Sequence, residues 1–143
     1  MKIIGLKLFK NKIIKSKKGD IIRFISKKNS FYRKFGEVYF SEIKKNKIKG
    51  WNFHKRNICL ISVPYGKVKF NFIDGRKKSS TYHSRKKVIL SKKNYKIICV
   101  PPGVWFSFES LSSLSLVVNF INNPHDDKET MKTNKVKNIT IPE

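Results

Sequence analysis

KGWNFHKRNICLISVPYG (Lys49–Gly66) and VPPGVWFSF (Val100–Phe108) are the two stretches that decide the fold. Each sets short β-branched or aromatic runs beside glycine and proline turns, at Gly50, Pro64-Tyr65-Gly66 and Pro101-Pro102-Gly103. Such turns punctuate antiparallel strands, because glycine takes the backbone angles a reversal needs and proline stops a ladder. Asn52 and His54 stand two residues apart on an extended segment, so they face the same way.

Working outward, strand signals recur along the chain. They cover Ile3 to Phe9, Ile21 to Ile25, Glu37 to Ile43, Ile58 to Val63, Lys67 to Ile73, Val88 to Leu90, Tyr95 to Val100, Trp105 to Phe108 and Leu114 to Ile121. In one of them Val68, Phe70 and Phe72 alternate with Lys67, Lys69 and Asn71, the period-2 signature of a strand with one wet face. The expected class is therefore all-β, an antiparallel β-barrel or jelly roll, with a helical or 3₁₀ turn near Ser30 to Phe35. A polar helix is expected over Asp126 to Lys137. Residues 1–124 read as one domain and 125–143 as a C-terminal tail or short helix.

The 143 residues carry 33 Lys and Arg against 9 Asp and Glu, a formal net charge of +24. Only five of the bases are arginine, the residue with the planar fork that reads phosphates and base edges, and the lysines are spread along the whole chain. The charge reads as compositional bias, and no specific nucleic-acid partner is expected; a polyanion-binding reading rests on charge alone. Cys59 and Cys99 form no C-x-x-C pair, the N-terminus is interrupted by lysines, and no apolar run approaches a membrane span. The expectation is a cytoplasmic protein without a membrane partner.

The two quoted stretches resemble the two halves of a cupin motif. The turns persist, but the H-x-H pair is Asn52-Phe53-His54, the glutamate falls on Ile58 or Cys59, and the last histidine is Phe106. One imidazole cannot assemble a transition-metal site, so no metal and no cofactor is expected. More of the chain resembles the dTDP-4-dehydrorhamnose 3,5-epimerase family. Its R-G turn, R-G-L-H-x-Q strand, G-x-V hairpin, V-D-x-R-x-x-S-P-T segment and I-P-x-G-x-x-H-G-F turn correspond to Lys18-Gly19, KGWNFH, Gly66-Lys67-Val68, IDGRKKSST (Ile73–Thr81) and VPPGVWFSF.

That resemblance implies a nucleotide-activated keto sugar as ligand, a homodimer with crossed N-terminal strands, and proton abstraction by a carboxylate-held histidine. The histidine of R-G-L-H is replaced by Asn52, which has no useful basicity. The usual tyrosine acid falls near Val118 or Asn119, the usual lysine near Cys59, and the second histidine on Phe106. Asp74 carries over. His54 is the candidate replacement base, and the related keto-sugar 3,4-isomerases carry H-A-H-K where this chain has N-F-H-K. The catalytic candidates are thus His54, Asp74 as the group orienting a partner, and Asn52. Lys18 and Lys49 are expected at the diphosphate, and Trp105, Phe106 and Cys59 at the substrate. His83 and His125 read as residues without a role in the site, His125 in a surface turn. An isomerase with an atypical site is the leading reading; the alternative is an inactive cupin that binds a nucleotide sugar or a partner enzyme.

Overall fold

A computed structural model describes residues 1–133. The described residues form twelve strands: β1 (Lys7–Lys10), β2 (Ile13–Ile14), β3 (Ile21–Ile22), β4 (Glu37–Lys44), β5 (Ile48–His54), β6 (Cys59–Tyr65), β7 (Lys67–Asp74), β8 (Arg85–Ser91), β9 (Lys96–Val100), β10 (Val104–Ser110), β11 (Leu114–Ile121) and β12 (Thr130–Lys132). Two five-stranded antiparallel sheets, ordered β1-β9-β6-β11-β4 and β12-β5-β10-β7-β8, form a jelly roll, with β2 and β3 as a separate ribbon. The all-β expectation holds. The two sheets are not closed into a barrel; each keeps its own edges, β1 and β4 in one and β12 and β8 in the other.

The alternation on β7 is realised. Val68, Phe70 and Phe72 are almost wholly buried, while Lys67, Lys69 and Asn71 are exposed or half-buried. Each buried phenylalanine contributes about 2 kcal/mol of apolar transfer. They pack with Ile61, Val63, Ile98, Phe106 and Phe108 between the sheets. A second cluster of Phe31, Leu60, Ile97, Cys99 and Phe120 lies on the outer face of the first sheet, with Phe9, Phe24 and Tyr32 packed against it.

Two segments differ from the sequence reading. Among the described residues there is no helix: the expected helical or 3₁₀ turn at Ser30 to Phe35 is a single turn at its start, in which the Tyr32 amide donates to the Asn29 carbonyl. Asp126 to Lys132 is likewise not helical. Thr130–Lys132 runs antiparallel to β5, pairing Thr130 with His54, Met131 with Phe53 and Lys132 with Asn52. A ready-made sheet edge supplies backbone partners, and that outweighs the helix propensity of a polar segment too short to bury a face of its own. Thr130–Lys132 thus joins the second sheet at its edge. The rest of that expected helix and of the tail, 134–143, lies outside the described residues.

Candidate functional site

A cavity of about 640 Å³ opens between the sheets at the β4 and β12 edges. Glu37, Tyr39 and Ser41 of β4 and Val117 and Asn119 of β11 form one wall; Lys49, Asn52 and His54 of β5, Phe106 and Phe108 of β10, and Thr130 and Lys132 of β12 form the other. The alternation rule accounts for Asn52 with His54, and for Glu37, Tyr39 and Ser41. It does not account for Lys49, which is of opposite parity to Asn52.

A bulge resolves this. Phe106 pairs with Asn52 but the next residue, Ser107, pairs with Gly50, so Trp51 is an extra residue on β5. One inserted residue exchanges the two faces of a strand, which turns Lys49 inward beside Asn52. Gly50 makes the bend possible. It sits at φ +111°, and a Cβ there would lie 2.8 Å from the Phe106 carbonyl oxygen and 2.9 Å from Ser107 Cα, both backbone atoms with nowhere to go.

His54 is the best-held polar group in the cavity. Its Nδ1 lies 2.8 Å from Oε2 of Glu129, and both side chains are nearly fully buried. Glu129 Oε1 accepts the backbone N–H groups of Arg56 and Asn57 at 2.9 and 2.8 Å, and the Thr130 hydroxyl donates to Oε2. Burial raises the affinity of Glu129 for its proton. The Asn57 and Arg56 amides and the His54 ring outweigh that and hold the carboxyl down at about 2. An ionised carboxylate accepts from Nδ1–H, so the neutral imidazole keeps its lone pair on Nε2. Nε2 has no hydrogen bond among the described residues, and the Phe106 ring lies near-parallel to the imidazole at 6.2 Å. A base held by a buried carboxylate in a substrate-sized cavity is the arrangement proton abstraction needs.

Cations and amides complete the site. Lys49 Nζ donates to Ser41 Oγ across the cavity at 2.9 Å, and Lys132, the cross-strand partner of Asn52, lines the same cavity. Asn119 Nδ2 donates to Tyr39 Oη at 2.8 Å, while Asn119 Oδ1 is buried without a partner among the described residues. Among the described residues no three His, Cys, Asp or Glu side chains come together to hold a metal.

The model of the dTDP-4-dehydrorhamnose 3,5-epimerase family matches residues 1–141. The chain belongs to that family. Its members are metal-independent isomerases acting on dTDP-linked deoxysugars. A dTDP sugar isomerase from Desulfovibrio desulfuricans superposes with a TM-score of 0.92 at 28% identity, over 96% of this chain and 88% of that one. The dTDP-4-dehydrorhamnose 3,5-epimerase of Bacillus anthracis, solved with TDP and PPi bound, superposes at 0.84 with 23% identity, over 96% and 83%. The dTDP-6-deoxy-D-glucose-3,5-epimerase of Legionella pneumophila, in complex with dTDP-4-keto-L-rhamnose, gives 0.85 with 22% identity, over 95% and 76%. The latter two, below 25% identity, speak for the fold alone. No curated protein sequence matches the chain.

Of the residues singled out from the sequence, Lys49, Asn52, His54 and Phe106 come together in the cavity. The others lie elsewhere. Asp74 is fully buried outside the cavity lining and accepts from Arg76 Nε and Nη2 at 2.8 Å each, Ser79 Oγ at 2.9 Å and Thr81 Oγ1 at 2.6 Å. Burial works against its charge, and the Arg76 and Thr81 donors overcome that to hold its carboxyl well below the usual range. Trp105, one residue out of phase with Phe106, points to the opposite face of its sheet, against Phe53 with ring centroids 4.7 Å apart. Lys18 sits in an exposed turn away from the cavity lining. Cys59 is completely buried and does not line the cavity, and burial pushes its thiol up to about 12.

Site residues escaped the sequence reading, among them Lys132, which like Glu129 fell in the expected helix. Glu129 sat in an apparently helical segment, Tyr39 in an ordinary strand, and His125 in a surface turn. His125 does bond Asp127 there, at 2.7 Å, yet it also lines the cavity mouth. The signal available for Tyr39 was the alternation of Glu37, Tyr39 and Ser41; nothing local marked Glu129.

Proposed function

We propose that this chain is a working dTDP-keto-sugar epimerase or isomerase, in which His54 takes the proton next to the keto group of the sugar. The observation that carries the reading is the buried His54–Glu129 pair, 2.8 Å apart, at the wall of a cavity of sugar size. It answers the replacement of the usual histidine by Asn52: the imidazole has moved two residues along β5, to the next inward position, and Glu129 supplies the carboxylate. Asn52 then serves as a hydrogen-bond partner for the sugar's carbonyl or a hydroxyl. Lys49 and Lys132 are the cations for the diphosphate, lacking the bidentate grip of arginine. We assign Asp74 to holding the loop between β7 and β8. The protein acts as a homodimer in this reading, covering the exposed Phe35, Val38 and Phe40 at the β4 edge.

The test is incubation with dTDP-4-keto-6-deoxyglucose in D₂O, following C3 and C5 by NMR. Deuterium uptake, or a 3-keto product, is the expected result, and His54→Asn should slow it about 10²- to 10⁴-fold, the usual worth of a general base. Saturable binding with neither outcome would sink the enzyme reading and leave a nucleotide-sugar-binding protein, the reading that Asn52 by itself favours.

A further inference from the structure

We infer that Tyr39, a residue of β4 with no counterpart in the family's motifs quoted above, is the acid that delivers a proton to the sugar face opposite His54. The inference rests on the function just proposed and adds its stereochemical outcome. Removing and returning a proton on one face regenerates the starting sugar. Inversion needs a donor on the other face, since the enolate between the two steps is planar at carbon.

The cavity is built for delivery from two sides. His54 comes from β5 in one sheet, and Tyr39 from β4 in the other. Among the described lining residues Tyr39 is the one phenol. Asn119, at the position where the family's tyrosine is expected, is the direct cross-strand partner of Tyr39 and donates Nδ2–H to its oxygen at 2.8 Å. That bond uses a lone pair of the phenol and leaves its proton available. It also strengthens once the oxygen becomes an anion. Burial first, then neighbouring Cys59, push the phenol up to about 12, so it carries its proton at neutral pH.

The step balances. The α-carbon's C–H bond breaks as His54 Nε2 takes the proton, and the electron pair becomes the enolate. Bond formation between that carbon and the Tyr39 proton then inverts it and re-forms the keto group on the neighbouring carbon, leaving a phenolate held by Asn119 and an imidazolium held by Glu129. Proton exchange with solvent resets both.

Tyr39→Phe removes one oxygen from a partly exposed ring and should fold; its melting temperature checks that. In D₂O with dTDP-4-keto-6-deoxyglucose the variant should keep deuterium exchange within about tenfold of the parent, yet form epimer about 10²- to 10⁴-fold more slowly. Asn119→Ala, which keeps the phenol but removes its support, should slow epimer formation by about 10- to 100-fold with exchange retained. Epimer formation at the parental rate by Tyr39→Phe, or a parent that exchanges without ever forming epimer, overturns the role of Tyr39 alone. A parent showing neither exchange nor product overturns the proposed function and this role together.

Discussion

Replacing Glu129 by glutamine probes the site through stability as well as rate, and its size follows from the geometry. Glutamine copies the protonated carboxyl: its oxygen still accepts the Arg56 and Asn57 amides, but the charge facing His54 is gone. A carboxyl drawn from its ordinary 4.5 to about 2 favours the folded state by about 3 kcal/mol, at about 1.36 kcal/mol per pH unit. Because the folded value is the lower one, this stability is present in full above pH ~4.5 and drains away as the pH falls toward ~2. Urea unfolding should therefore find Glu129→Gln less stable than the parent by about 3 kcal/mol at pH 6 and by only about 1.5 kcal/mol at pH 3. Other acid-sensitive groups such as Asp74 are common to both proteins and cancel. Activity should fall about 10²- to 10⁴-fold, because the amide N–H₂ repels Nδ1–H and moves the imidazole proton to Nε2, the atom that must be basic. Equal stabilities at pH 6, or a gap that does not narrow on acidification, would refute the assignment of Glu129 as an ionised partner of His54.

Asp74→Asn strips the charge from a buried carboxylate that holds Arg76 and two hydroxyls, and should cost about 3 to 5 kcal/mol in thermal or urea unfolding; a loss below about 1 kcal/mol would show that the loop between β7 and β8 is held by other contacts. Sedimentation equilibrium should report twice the 16.8 kDa chain mass, and Phe40→Glu should shift that toward monomer by placing a charge in the covered surface. A monomeric parent would remove the dimer from the proposal.

Much of this was legible in the residues themselves. The two glycine- and proline-bounded halves around KGWNFH and VPPGVWFSF give the jelly roll, and the alternation of Val68, Phe70 and Phe72 gives a core face, because a strand's sidedness is a local property with period 2. The common direction of Asn52 and His54 is local too, and so is the loss of a base at Asn52. Lys49 was selected for its charge, but its turn into the cavity depends on the bulge at Trp51, visible only as a register shift against β10.

The remainder was decided by long-range pairing. Glu129 reaches His54 across 75 residues of sequence because β12 binds the open edge of β5, and a short polar strand of that kind carries no hydrophobic pattern to announce it. Asp74 matched a motif, but β10 lies between its strand and that of His54, and its carboxylate is bound by Arg76 two residues on. Tyr39 meets Asn119 because β4 pairs with β11, and both line the cavity from the sheet that faces β5. The sequence by itself determined which side chains share a face and which chemistry is absent. Only the tertiary structure decided which carboxylate meets the imidazole and which side chains share its cavity, since those meetings are made by strand register and sheet edges, through backbone hydrogen bonds that no side-chain pattern encodes.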